Sequence, residues 1–125
     1  MLQILLVAIG GALGSVGRYL AGVHITRLMG SGFPYGTLTV NIVGSFLIGL
    51  LVELLARRFN GSMDLRLFLV VGFLGGFTTF SSFSLDALAL FERGASLSAA
   101  AYIFTSLILS LAAVFAGLLL GRSLL

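Results

Sequence analysis

The residues best equipped for chemistry lie together in Gly72-Phe73-Leu74-Gly75-Gly76-Phe77-Thr78-Thr79-Phe80-Ser81-Ser82-Phe83-Ser84. Hydroxyls at 78, 79, 81 and 82 can donate hydrogen bonds to an anion. Phe80 and Phe83 are three residues apart and share one helix face. Their ring edges are electropositive, so edges turned inward attract a small anion. Gly75 and Gly76 weaken a helix at this point, and an interruption near residues 75–79 would leave carbonyls that need partners. A monovalent cation held by oxygens near Gly75 and Thr78 would answer that need, as would neighbouring helices or water. No Ser/His/Asp set, paired carboxylate or metal-ligand cluster accompanies these residues, and cysteine is absent. The pattern excludes an enzyme and a thiolate metal site.

The elements that carry these residues are apolar. Of 125 residues, 59% are hydrophobic and 9% charged, where soluble domains are about a quarter charged. Residues 1–17, 28–52, 67–85 and 94–121 carry no charge, and each run approaches or exceeds the roughly 18–20 residues a spanning helix needs. The reading is an all-α integral membrane protein with a single domain over 1–125. Its four helices are expected near 2–23, 37–57, 67–91 and 98–120. The first apolar run lacks a basic flank and a small-residue cleavage site, so it reads as a retained helix and not a signal peptide.

All seven basic residues are arginines, set against four acids. They cluster at helix ends, which argues for membrane topology and against nucleic acid. Arg57, Arg58, Arg66 and Arg122 fall on one side, Arg27 and Arg93 on the other. This weak bias places both termini in the cytoplasm and allows a mixed insertion, hence an antiparallel dimer. Gly10 and Gly14, and again Gly117 and Gly121, form small-xxx-small pairs that let helices approach closely. Four short helices enclose a polar pathway poorly, so homo-oligomerisation is expected, most simply as a two-fold dimer.

A rise of about 1.5 Å per residue ranks the polar residues by depth. Measured from Arg66, the 75–78 stretch lies about 14–18 Å deep, and Phe80, Ser82 and Phe83 about 20–25 Å. Asn41 falls near that second level with Thr39 and Ser81, while Ser110 lies near the midplane. An isolated asparagine would be read as interhelix glue; the company of Phe80, Phe83 and these hydroxyls favours a pore lining. No carboxylate shares the level, which favours a small anion over a cation. Arg18 and Asp86 both come out near the far interface, as a pair, as snorkelling residues, or with Arg18 drawing anions into a vestibule. Glu53 and Arg57 stand in the favourable i, i+4 order.

The chain resembles the Fluc (CrcB) family of fluoride channels over essentially its whole length. The resemblance is carried by Gly10-Gly11-Ala12-Leu13-Gly14 with Arg18-Tyr19, by the run from Gly36 through Asn41 to Phe46, and by the Gly72–Ser84 stretch. It implies a dual-topology antiparallel homodimer with two pores for passive fluoride efflux across the plasma membrane. It also implies that Phe80, Phe83, Asn41 and Ser110 line the pore, with Thr39, Ser81 and Ser82 on a polar track. Carbonyls of Gly75 and Thr78 would hold a structural Na⁺ on the dimer axis. Ser82 stands where the family often has threonine, keeping the hydroxyl and losing a methyl. The rival is a small proton-coupled multidrug antiporter, which needs a mid-membrane acid. A packing-only scaffold would leave the polar cluster of the third helix without a purpose.

Overall fold

In a bilayer a helix satisfies its own backbone polar groups where water cannot, so long uncharged runs become helices. The structure, a computed structural model, describes residues 1–124. Helix α1 spans Leu2–Met29 and α2 Tyr35–Arg58. The third span, Met63–Glu92, is composite: α3 (Met63–Arg66), a π-helical stretch (Leu67–Leu74), the single turn α4 (Gly75–Phe77) and α5 (Phe80–Glu92). Helix α6 covers Ser96–Leu124. All four spans are long and apolar enough to cross a membrane.

The helices run past the apolar limits expected from the sequence. Charge ends lipid burial, but it does not end backbone hydrogen bonding. Helix α1 continues through Arg27 until Gly30 adopts φ 83° and returns its N–H to the Thr26 carbonyl at 2.8 Å. Helix α2 stops before Asn60, at φ 54°.

Two helix pairs meet backbone to backbone. A Cβ added at Gly14 would strike the Phe73 carbonyl oxygen, and one at Gly10 the Phe68 oxygen, so α1 lies directly on the third span. Gly49 and Gly117 do the same for α2 and α6, against the oxygens of Val114 and Phe46. Apolar burial adds little drive in lipid, so this closeness supplies van der Waals attraction in its place. Helices α5 and α6 share a small buried cluster of Ala87, Leu90, Ala99 and Tyr102.

At one end of the bundle Glu53 accepts from the Nε of Arg57 and from the Nε of Arg122, each at 2.9 Å. The second bond ties α6 to α2. Both arginines are about half exposed, so Arg122→Ala should cost only about 0.2–1 kcal/mol, read by thermal unfolding in detergent.

Candidate functional site

The helix ends after Phe77 because the next two residues find other partners. Thr78 has φ −86° and ψ 157°, and Thr79 has φ −153° and ψ 121°, both extended. Thr78 sends its N–H and its hydroxyl to the Leu74 carbonyl, at 2.9 and 2.8 Å. Asn41 of α2 then clasps Thr79 from the side. Its Nδ2 donates to the Thr79 carbonyl at 2.9 Å, and the Thr79 N–H donates to its Oδ1 at 2.7 Å. Thr79 in turn caps α5, its Oγ1 accepting the Ser82 N–H at 3.1 Å. Gly44, one turn beyond Asn41 on α2, leaves room for the Thr78 methyl.

The extended backbone is therefore confined to Thr78 and Thr79, a narrower region than residues 75–79. Gly75 keeps helical dihedrals, φ −61° and ψ −37°. A glycine permits an interruption without requiring one; here the captured N–H of Thr79 sets its place. Several carbonyls lose their helical donors as a result. The Gly75 oxygen would take the Thr79 N–H, which goes to Asn41, and the Thr78 oxygen would take the Ser82 N–H, which goes to Thr79 Oγ1. Between them the Gly76 oxygen accepts from Arg18 Nε at 3.1 Å.

Arg18 and Asp86 do not meet, contrary to their estimated depths. Asp86 Oδ2 accepts from the Tyr102 hydroxyl at 3.2 Å, and no ion pair joins it to Arg18 among the described residues. The depth scale misplaced α1. The Gly14 contact with Phe73 brings the Arg18 Nε to the Gly76 carbonyl, about 15 Å along the third span from Arg66. The Arg18 guanidinium thus lies near mid-span, away from the far interface.

A cleft of about 330 Å³ opens beside the extended residues. From the expected set it gathers Asn41, Phe80, Phe83 and Ser110, together with Thr78 and Thr79. None of its lining residues is acidic. Thr39, Ser81 and Ser82 lie outside its wall; Thr39, Ser81 and Gly75 are on the exposed face of the subunit. The Phe80 and Phe83 rings are tilted, with centroids 5.4 Å apart, and Phe80 remains 70% exposed. Phe83 packs on Tyr102 at 5.2 Å, and Tyr102 is wholly buried with Phe33 edge-on against it.

Sequence reasoning overlooked Ser106 in this wall and Tyr102 packed behind Phe83. The Ser106 hydroxyl is buried without a hydrogen-bond partner, and the residue lines the cleft one turn before Ser110. Tyr102, Ser106 and Ser110 stand four apart on one face of α6, a polar stripe visible in the sequence. A second cavity of about 260 Å³ lies under the α1–α2 connection, lined in part by Asp86, Thr37 and Arg93. Arg93 donates to the Gly32 carbonyl there at 2.7 Å.

Four spanning helices, three of which (α2, the third span and α6) wall a mainly apolar, acid-free cleft with a few polar groups, define a small polytopic membrane protein. The model of the family described as CrcB-like protein, Camphor Resistance (CrcB), matches residues 5–118, and the chain belongs to that family. It is 70% identical over 124 residues to a protein of Agrobacterium fabrum named fluoride-specific ion channel FluC, covering 99% of each chain. Proteins of the same name from Rhizobium etli and a Chelativorans species are 60% identical over 99% of each chain and 52% identical over the full length of both.

Proposed function

We propose that this chain is a fluoride channel of the bacterial plasma membrane that releases fluoride passively from the cell. The observation that carries the reading is the acid-free cleft at mid-span, which gathers Phe80, Phe83, Asn41, Ser110 and Ser106 with its unpaired hydroxyl. A small, strongly hydrated anion gives up water only where donors replace it. Ser106 and Ser110 offer O–H groups, Asn41 has a second amide hydrogen, and Phe80 and Phe83 offer electropositive edges. The name borne by the relatives supplies the identity of the anion. That name denotes an ion channel and no enzyme.

A single subunit leaves the cleft incomplete. Ser81 and Gly75 are exposed at a depth where polar backbone cannot face lipid, and Phe80 offers a wide ring face beside them. A second copy of the chain in antiparallel orientation would cover this face and close two pores. The weak arginine asymmetry supports insertion both ways up. The oxygens of Gly75 and Thr78 have lost their helical donors, and carbonyl oxygens of this kind suit a hard monovalent cation. With the same atoms of a second copy they would hold a Na⁺ that neutralises these oxygens and locks the interface. Thr39, Ser81 and Ser82 would continue the polar track beyond the cleft. A proton-coupled antiporter is not favoured, because Asp86 is engaged by Tyr102 and Glu53 by two arginines.

Efflux from liposomes reconstituted with the purified protein tests the proposal. Fluoride should leave rapidly while chloride is retained; equal permeability, or none, would refute it. Phe80→Ile should slow fluoride efflux by about two- to tenfold with assembly intact, since an aromatic electrostatic contact is worth about 0.5–1.5 kcal/mol. Unchanged efflux would remove the ring edges from the mechanism.

A further inference from the structure

We infer that Arg18 is a positioning residue: its Nε–H holds the Gly76 carbonyl and thereby fixes the turn from which Thr78 and Thr79 leave the helix. In an unbroken helix the Gly76 oxygen would accept the N–H of Phe80. The extended dihedrals of Thr78 and Thr79 carry that N–H away and leave the oxygen without its helical partner at mid-span. No water is available inside a bilayer to replace the lost donor, so another protein group must. Arg18 supplies it across the α1 interface at 3.1 Å.

The reach is possible only because the two backbones are so close. A Cβ at Gly76 would lie 2.6 Å from the Gly11 oxygen and 3.1 Å from the Ser15 nitrogen. Arg18 follows Ser15 on the same side of α1 and meets the third span at the Gly76 carbonyl. Asn41 grips the segment from α2, at Thr79, while Arg18 grips it from α1, at Gly76. The extended pair Thr78–Thr79 is thus held between two side chains from different helices. With Gly76 occupied by Arg18, the carbonyls of Gly75 and Thr78 are among those left for other partners.

This role differs chemically from electrostatic attraction of anions. Attraction depends on the charge, whereas positioning depends on an N–H at the fourth side-chain atom, bonded to Cδ. Glutamine carries its amide nitrogen at that same place without a charge. Lysine keeps the charge but sets its nitrogen one atom farther out. Methionine removes both donor and charge at similar length.

The test compares Arg18→Gln, Arg18→Lys and Arg18→Met in the full chain. Two readouts are fluoride efflux from liposomes and amide hydrogen exchange at Thr79 and Ser82, whose N–H groups are bonded in the native turn. Arg18→Met and Arg18→Lys should speed exchange about tenfold or more, the usual worth of a bond to a charged donor, and slow efflux in parallel. Arg18→Gln should restore both to within about threefold of the wild type. The proposal is overturned if Arg18→Gln behaves as Arg18→Met does, or if all three match the wild type. Preserved behaviour in Arg18→Lys alone would assign the role to charge and overturn it too. The efflux readout rests on the channel reading; the exchange readout does not, so a wild-type protein that carried no fluoride would leave the exchange pattern decisive for Arg18. Should Arg18→Met not assemble, the contrast between Arg18→Gln and Arg18→Lys still decides.

Discussion

Asn41→Leu is expected to abolish measurable fluoride efflux and to lower the thermal stability of the protein. The substitution removes the acceptor for the Thr79 N–H and the donor to the Thr79 carbonyl in one step. The Thr79 carbonyl, as N-cap of α5, keeps the first helical N–H, so the orphaned group is the Thr79 N–H and the folded geometry loses about 1–3 kcal/mol. The chain has an escape from that cost: the Thr79 N–H can return to the Gly75 carbonyl and continue the helix. Doing so would rotate Phe80 and Phe83 away from α6 and close the cleft they line with Ser106 and Ser110. Loss of function would therefore come from a healed helix as much as from a missing amide. Circular dichroism should then show helix content no lower than in the wild type, with efflux gone. Efflux at the wild-type rate would show that the clasp is dispensable.

Gly14→Ala is the second large effect. Its added methyl would collide with the Phe73 carbonyl carbon at 2.9 Å, the Phe77 nitrogen at 2.9 Å and, closer still, the Phe73 oxygen. All of these are backbone atoms, so no rotamer change relieves the clash and the helices must separate. Overpacking of this kind costs about 1–3 kcal/mol and occasionally more, and here it acts against the main attraction between α1 and the third span. Separation would also draw Arg18 off the Gly76 carbonyl. Gly14→Ala should thus lower the unfolding temperature and slow efflux together. Gly22→Ala is the matched control on the same helix, because a Cβ there meets nothing within 4 Å. It should be neutral, or stabilising by up to about 1 kcal/mol through helix propensity. Equal behaviour of the two variants would show that the backbone contact at Gly14 does not hold the bundle.

Helix rise is a local property, and it carried much of the site. Counting from Arg66 along the third span put Phe80 and Phe83 near Asn41, and the cleft does contain all three with Ser110. The same counting failed for Arg18. Helix α1 has no charged residue near its start to mark the membrane surface, so its zero was misplaced. Ser106 and Tyr102 were overlooked for a different reason. A serine and a tyrosine in an apolar helix look ordinary until their spacing from Ser110 is noticed.

By itself the sequence determined the class: four apolar spans, weakly biased charges, glycine faces, and one polar stretch with aromatic spacing. These follow from composition and from the periodicity of single helices, which need no neighbour to be read. The tertiary structure decided who satisfies whom. Asn41 could have bonded any nearby carbonyl; the approach of α2 over Gly44 gives it Thr79. Arg18 could have reached the headgroups; the contact at Gly14 slides α1 until it faces Gly76. The helix end at Phe77 follows from those two choices, because backbone leaves a helix in lipid only where other groups take over its hydrogen bonds. Partner choice depends on the translation and rotation of one helix against another, and close backbone contacts set both.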